Sequence, residues 1–194
     1  MKSLLFGLLL ALSAAAPMAT AQTETAEAIE APELTPAESL QAGIEAAQKR
    51  SWRTARVNYK AACDGGELQA CTGLADLYRK GLGGLKNDAG AERLLKRACR
   101  QDEMNACATL GFIYNQGLIG EEPDFESSRS YYKIACDGDV VSACAAYGNQ
   151  LYGGVGGRYE RVKGRRLLEQ TCDQEFEWSC ERLVDLGFSK RSPF

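Results

Sequence analysis

Eight cysteines carry the most reactive side chains in these 194 residues, and they fall into four pairs: Cys63 and Cys71, Cys99 and Cys107, Cys136 and Cys144, Cys172 and Cys180. Thiols in pairs can hold zinc, exchange electrons or close as disulfides. Zinc pairs sit roughly two to four residues apart and dithiol catalysts leave about two residues between their sulfurs. Every pair here encloses seven residues, which fits neither. The chain also has no histidine, so Ser-His-Asp triads, Cys-His nucleophiles and histidine-ligated zinc are all excluded. The remaining carboxylates show no spacing that pairs two of them across a pocket. No catalytic residue, no metal and no cofactor is expected.

The elements that must position these sulfurs follow from their period. The first members of the pairs succeed one another at 36, 37 and 36 residues, a fixed repeat of the kind that builds a solenoid. Counting back from each first cysteine, position minus four holds Tyr59, Leu95, Tyr132 and Leu168, while minus eight holds Ala55, Ala91, Ser128 and Gly164. Counting forward from each second cysteine, plus three holds Leu74, Leu110, Tyr147 and Leu183, and plus four holds Ala75, Gly111, Gly148 and Val184. Bulky and small columns at this spacing mark one face of a helix on either side of each cysteine pair. Gly81, Gly117 and Gly154 all stand at plus ten, where a helix can end in a left-handed residue. The extra residue of the longer period lies in the Glu121-Glu122-Pro123 loop.

The pattern predicts an all-α superhelix of four helix pairs and a terminal helix near Glu177 to Phe188, the first pair being Ser39 to Lys49 with Trp52 to Ala62. Residues eight apart on a straight helix are separated by about 12 Å, beyond the ~7 Å that a disulfide spans between Cα atoms. The chain must therefore turn inside each pair. Asp64-Gly65-Gly66 and Asp137-Gly138 supply turn chemistry, whereas Arg100 to Asn105 and Asp173 to Trp178 have no glycine. An even count, one spacing used four times and an export address predict four local disulfides, one per repeat.

That address is the segment 1–21, where Lys2, the apolar run Leu4 to Leu12 and Ala19-Thr20-Ala21 read as a cleavable signal peptide. Residues 22–37, with Glu24, Glu27, Glu30 and Glu33, read as a flexible acidic leader. The repeat domain is expected over 38–190 and a short tail over 191–194. A periplasmic or secreted location follows, with no transmembrane segment after cleavage. The formal net charge of −3 gives no basic excess for neutralising phosphates, so no nucleic acid is expected. Arg158, Arg161, Lys163, Arg165 and Arg166 form the densest basic run and read as a solvated helix face. The Gly81 to Gly84 and Gly153 to Gly157 stretches read as helix ends, and Trp52 and Trp178 as capping or core residues.

The words Leu110-Gly111-Phe112-Ile113-Tyr114-Asn115-Gln116-Gly117, Leu77-Tyr78-Arg79-Lys80-Gly81-Leu82-Gly83 and Tyr132-Lys133-Ile134-Ala135-Cys136-Asp137-Gly138, taken with the period and the paired cysteines, resemble Sel1-like repeats. These are relatives of the tetratricopeptide repeat, and the resemblance is to the secreted cysteine-rich branch typified by the Helicobacter cysteine-rich proteins. It implies an α-α superhelix serving as a binding scaffold outside the cytoplasm, and, for some members, β-lactam binding or weak β-lactamase activity. Ser130-Tyr131-Tyr132-Lys133 matches the serine–lysine pattern of such enzymes, but Lys133 shares its column with Lys60, Lys96 and Glu169, and the accompanying Ser-Asp-Asn and Lys-Thr-Gly words are absent. The expected function is therefore a monomeric, non-enzymatic scaffold that binds a peptide or protein on its concave face. Asp76, Arg79, Asn115, Asn149 and Tyr152, at plus five and plus eight from the second cysteine, are the candidate contacts. β-Lactam binding is the alternative.

Overall fold

Thr35 starts the helical stack. In the computed structural model, which describes residues 34–120 and 122–188, the Glu38 amide donates to the Thr35 hydroxyl at 3.3 Å and the Thr35 amide donates to the Glu38 carboxylate at 2.8 Å. This reciprocal box satisfies two amides that a helix start leaves open. With Pro36 in the first turn it sets α1 at Pro36–Gln48, three residues ahead of the start that periodicity gives. The expected signal segment, most of the leader and the tail lie outside the described residues.

Eight more helices follow among the described residues, with no strand: α2 (Trp52–Asp64), α3 (Leu68–Lys80), α4 (Asp88–Cys99), α5 (Met104–Asn115), α6 (Phe125–Asp137), α7 (Val141–Gly153), α8 (Arg161–Asp173) and α9 (Glu177–Asp185). Each packs against the next, giving four pairs and a terminal helix. The small columns are where paired helices cross. Ser128 of α6 is fully buried and donates its hydroxyl to the Gly111 carbonyl of α5 at 2.8 Å. The first helices also approach one another along the stack, α1 with α3, α3 with α5 and α5 with α7, while no similar approach joins the second helices. Units that are closer along one edge than the other must curve, so the first helices line the concave side.

Between consecutive units the chain turns tightly, and all four expected disulfides are formed there. Cys63–Cys71, Cys99–Cys107, Cys136–Cys144 and Cys172–Cys180 hold Cα atoms 4.7, 4.8, 4.4 and 4.8 Å apart. Closing a nine-residue loop is worth about 2.5 kcal/mol on the chain-entropy estimate. The residue three past each first cysteine takes the left-handed conformation, at Gly66, Asp102, Asp139 and Glu175. Turn glycine at Gly138 is thus one position early; its φ is −97° and Asp139 makes the reversal instead. At the opposite edge Gly81, Gly117 and Gly154 end their helices at φ values of 67°, 62° and 68°, as the plus-ten column requires.

One apolar core runs from Ala62 to Leu151 through α2 to α7, built from Leu95, Leu110, Ile113, Tyr132 and Tyr147 with many alanines and cysteines. Smaller clusters close the ends: Ala46, Ala55 and Leu77 against Trp52, and Leu168, Cys172 and Leu183 against Phe188. Trp52 therefore caps as expected. Trp178 is 43% exposed and tilted against Phe176 at 6.5 Å; it shares its column with Gln69, Asn105 and Ser142, which are exposed in every unit.

Candidate functional site

The concave side of α3, α5 and α7 forms a groove of about 430 Å³, lined along its length by Asp76 and Arg79, then Asn105, Thr109 and Phe112, then Ser142 and Ala146. Its floor comes from a second helix. Tyr132 of α6 lies flat against Gly111, where an added Cβ would stand 2.6 Å from the ring, so the missing side chain is what admits the tyrosine between α5 and α6. Burial pushes the Tyr132 phenol up to about 12 by disfavouring its charged form. A neighbouring hollow of about 280 Å³ continues the groove toward α1 and is lined by Leu40, Ile44, Tyr59, Thr72 and Asn105.

At the α3 wall, Asp76 accepts from Arg79 at 2.9 Å and from Lys80 at 2.7 Å. Asp76 thus carries its own counterions, and the Arg79 side chain is held down along the helix. Phe112 is the other distinctive group, 47% exposed on α5. It occupies plus five in its repeat, the same column as Asp76 and Asn149, and was missed because an aromatic residue in a helical pattern reads as core. Its exposure could have been inferred from its polar column-mates.

The other three candidate contacts are already engaged. Asn115 accepts from the Gln150 amide at 3.0 Å, and that amide also donates to Ser128 at 2.9 Å, forming a buried polar chain from α5 through α6 to α7. Asn149 accepts from Arg182 of α9 at 2.7 Å. Tyr152 meets Phe188 edge-on with ring centroids 6.2 Å apart. Asp76 and Arg79 line one groove with Phe112; Asn149 and Tyr152 join the last unit to the stack.

The candidate chemistry resolves in the same way. Lys133 is ion-paired to Asp137 at 2.5 Å, and that carboxylate raises its pKa. A lysine held protonated is a poor general base for Ser130, which lies exposed on α6. The glycine-rich stretches sit at close backbone approach: a Cβ on Gly83 would stand 2.3 Å from the Trp52 carbonyl oxygen. In the basic run, Arg165 pairs with Glu169 at 2.9 Å and lies over Phe188 at 4.1 Å, while Lys163 reaches Glu160 at 3.9 Å. No helix among the described residues is long and apolar enough to cross a membrane.

The model of the Sel1 repeat matches residues 68–103, 105–140 and 141–176, together more than half of the chain. Those segments correspond to α3–α4, α5–α6 and α7–α8 with their turns. No curated protein is a significant match. Among solved structures, a Sel1 repeat protein from Oxalobacter formigenes is 29% identical, covers 66% of this chain and 96% of its own, and has a TM-score of 0.59. A protective antigen of uropathogenic Escherichia coli with an SLR fold is 18% identical, with a TM-score of 0.69 over 81% of this chain and 35% of its own. Helicobacter pylori cysteine rich protein B is 18% identical over 76% of this chain and 94% of its own, at a TM-score of 0.47, a likeness too low to carry an argument. With three matched units in register with its helix pairs, the chain belongs to the Sel1 repeat family.

Proposed function

We propose that this protein is a non-enzymatic interaction scaffold that works outside the cytoplasm and holds a peptide or protein segment in the groove of α3, α5 and α7. The carrying observation is the groove itself, whose lining joins the exposed Phe112 ring to the Asp76–Arg79 wall and to the hydroxyl and amide groups of Thr109, Asn105 and Ser142. An aromatic anchor beside uncharged hydrogen-bonding groups suits a chain segment that presents both apolar side chains and backbone amides. Disulfides across every unit boundary stiffen the groove, so less entropy is lost when a segment binds. Four disulfides also match an oxidising compartment, in keeping with the signal read at 1–21.

The test is a photo-crosslinking residue placed at Phe112 in the exporting cell, with a second at Arg93 on α4 as control. The expected product forms from Phe112 and not from Arg93, and the captured protein binds purified wild type but loses affinity for Phe112→Ala. Equal capture from both positions would sink the proposal. For the β-lactam alternative, nitrocefin turnover abolished by Ser130→Ala would reverse the ranking.

A further inference from the structure

The four disulfides share one spacing but not one environment. Cys63 and Cys71 are both fully buried, and Cys99 and Cys107 are 8% and 0% exposed. Cys172 is buried as well, leaving Cys136–Cys144 as the one bridge in which both residues are half-buried. Both of its cysteines line a cavity of about 570 Å³ at the junction with α8, together with Asp139, Val141, Leu167, Gln170, Thr171 and Gln174.

The repeat explains why this bridge is open. In α4 and in α8 the residue two before the first cysteine lies at the bridge of the preceding unit. In α4 that residue is Arg97, whose guanidinium donates to the Cys63 carbonyl at 2.6 Å and lies 3.6 and 3.5 Å from the sulfurs of Cys63 and Cys71. It covers the first bridge and caps the carboxyl end of α2. The same column in α8 holds Gln170, a shorter side chain that lines the cavity beside Cys136 and Cys144 instead of filling it.

We propose that Cys136–Cys144 is a site of thiol–disulfide exchange, reached through this cavity by an external dithiol, while the N-terminal bridges remain structural. A thiolate of the dithiol attacks one of the two sulfurs and forms a mixed disulfide. The other cysteine leaves as a thiolate and takes up a proton. The second thiolate of the reagent then attacks the reagent's own bridged sulfur, frees the remaining cysteine and closes the reagent as its disulfide. Two electrons and two protons pass from the dithiol to Cys136 and Cys144. Access to the sulfur is a principal control on the rate of such exchange. The exchange does not depend on what the groove binds.

Titration of the mature protein with dithiothreitol in native buffer, quenched by iodoacetamide and read by peptide mapping, tests the proposal. Cys136 and Cys144 are expected to be alkylated first, with an initial rate at least about ten-fold above that of Cys63 and Cys71. Gln170→Arg should slow reduction of Cys136–Cys144, and Arg97→Gln should quicken that of Cys63–Cys71, both with far-UV circular dichroism unchanged. Should Gln170→Arg not fold, Arg97→Gln carries the test in the opposite direction. Reduction of all four bridges together, earlier reduction of Cys172–Cys180, or folded variants whose rates do not move would each overturn it.

Discussion

The central stack and its C-terminal end are built from the same repeat and are held differently. From Ala62 to Leu151 the core is continuous, each unit burying its neighbour on both sides. Beyond it, α8 and α9 share a separate cluster of Leu168, Cys172 and Leu183. Side-chain caps do not follow this division: Thr35, Asn87 and Asp124 accept hydrogen bonds from the first turns of α1, α4 and α6, whereas α2, α3, α5 and α7 lack such a cap just as α8 and α9 do. The columns do follow it. The position three before the second cysteine holds Leu68, Met104 and Val141 in α3, α5 and α7, but Glu177 in α9. Fewer apolar partners and more charge lower the local stability of α8 and α9.

Truncation in the two regions should break the comparison most visibly. Leu110→Ala, at a fully buried central position, is expected to cost about 4 kcal/mol, and Leu183→Ala in the terminal cluster about 2 kcal/mol; urea unfolding measures both, and equal losses would erase the distinction. Removing bridges comes next. Cys63→Ser with Cys71→Ser should lower stability by about 2.5 kcal/mol throughout the stack, whereas Cys172→Ser with Cys180→Ser should speed amide exchange in α9 and leave α3 to α6 protected.

Capping gives a smaller increment with a pH signature. Hydrogen bonds from Ser127 hold the Asp124 carboxyl below its ordinary range. Asp124→Ala should cost about 1 kcal/mol near neutral pH. Because the folded value is the lower one, that increment is complete above about pH 4 and fades as pH falls through the lowered value. The urea midpoints of wild type and variant should therefore converge in acid. The smallest effect sharpens the comparison from the other side. Glu175 is left-handed, with φ of 63°, in the turn before α9, a conformation that glycine adopts more cheaply. Glu175→Gly should raise stability by up to about 1 kcal/mol, read as slower amide exchange in α9, while Gly66→Glu at the same position of the first turn should lower it.

The repeat was legible because it is written in residue size. A period near 36, small residues where helices cross and glycine at plus ten define the pairs, their ends and the sulfur partners. The left-handed position in the turns was less legible, since Asp102, Asp139 and Glu175 adopt it without being glycine, as Arg50 does in the unbridged turn between α1 and α2. The site was read in part. Asp76 and Arg79 can be placed on the inner edge from their columns, and Phe112 shares the column of Asp76 and Asn149, but an aromatic side chain at helical spacing reads as core. Engagement of Asn149 by Arg182 depends on a unit 33 residues away, and single-column reasoning does not reach across that distance.

The placement of the bridges has one more consequence, for proteolysis. Every nine-residue turn is enclosed by sulfur, so a cut at Gly65, Gln101, Asp139 or Glu175 leaves the molecule in one covalent piece. The connections at 81–87, 116–124 and 154–160 lie outside every bridge, and a single cut there divides the chain into fragments that only packing holds together. Nicks at the two edges of the same superhelix therefore differ in kind: one edge absorbs them, and the other severs.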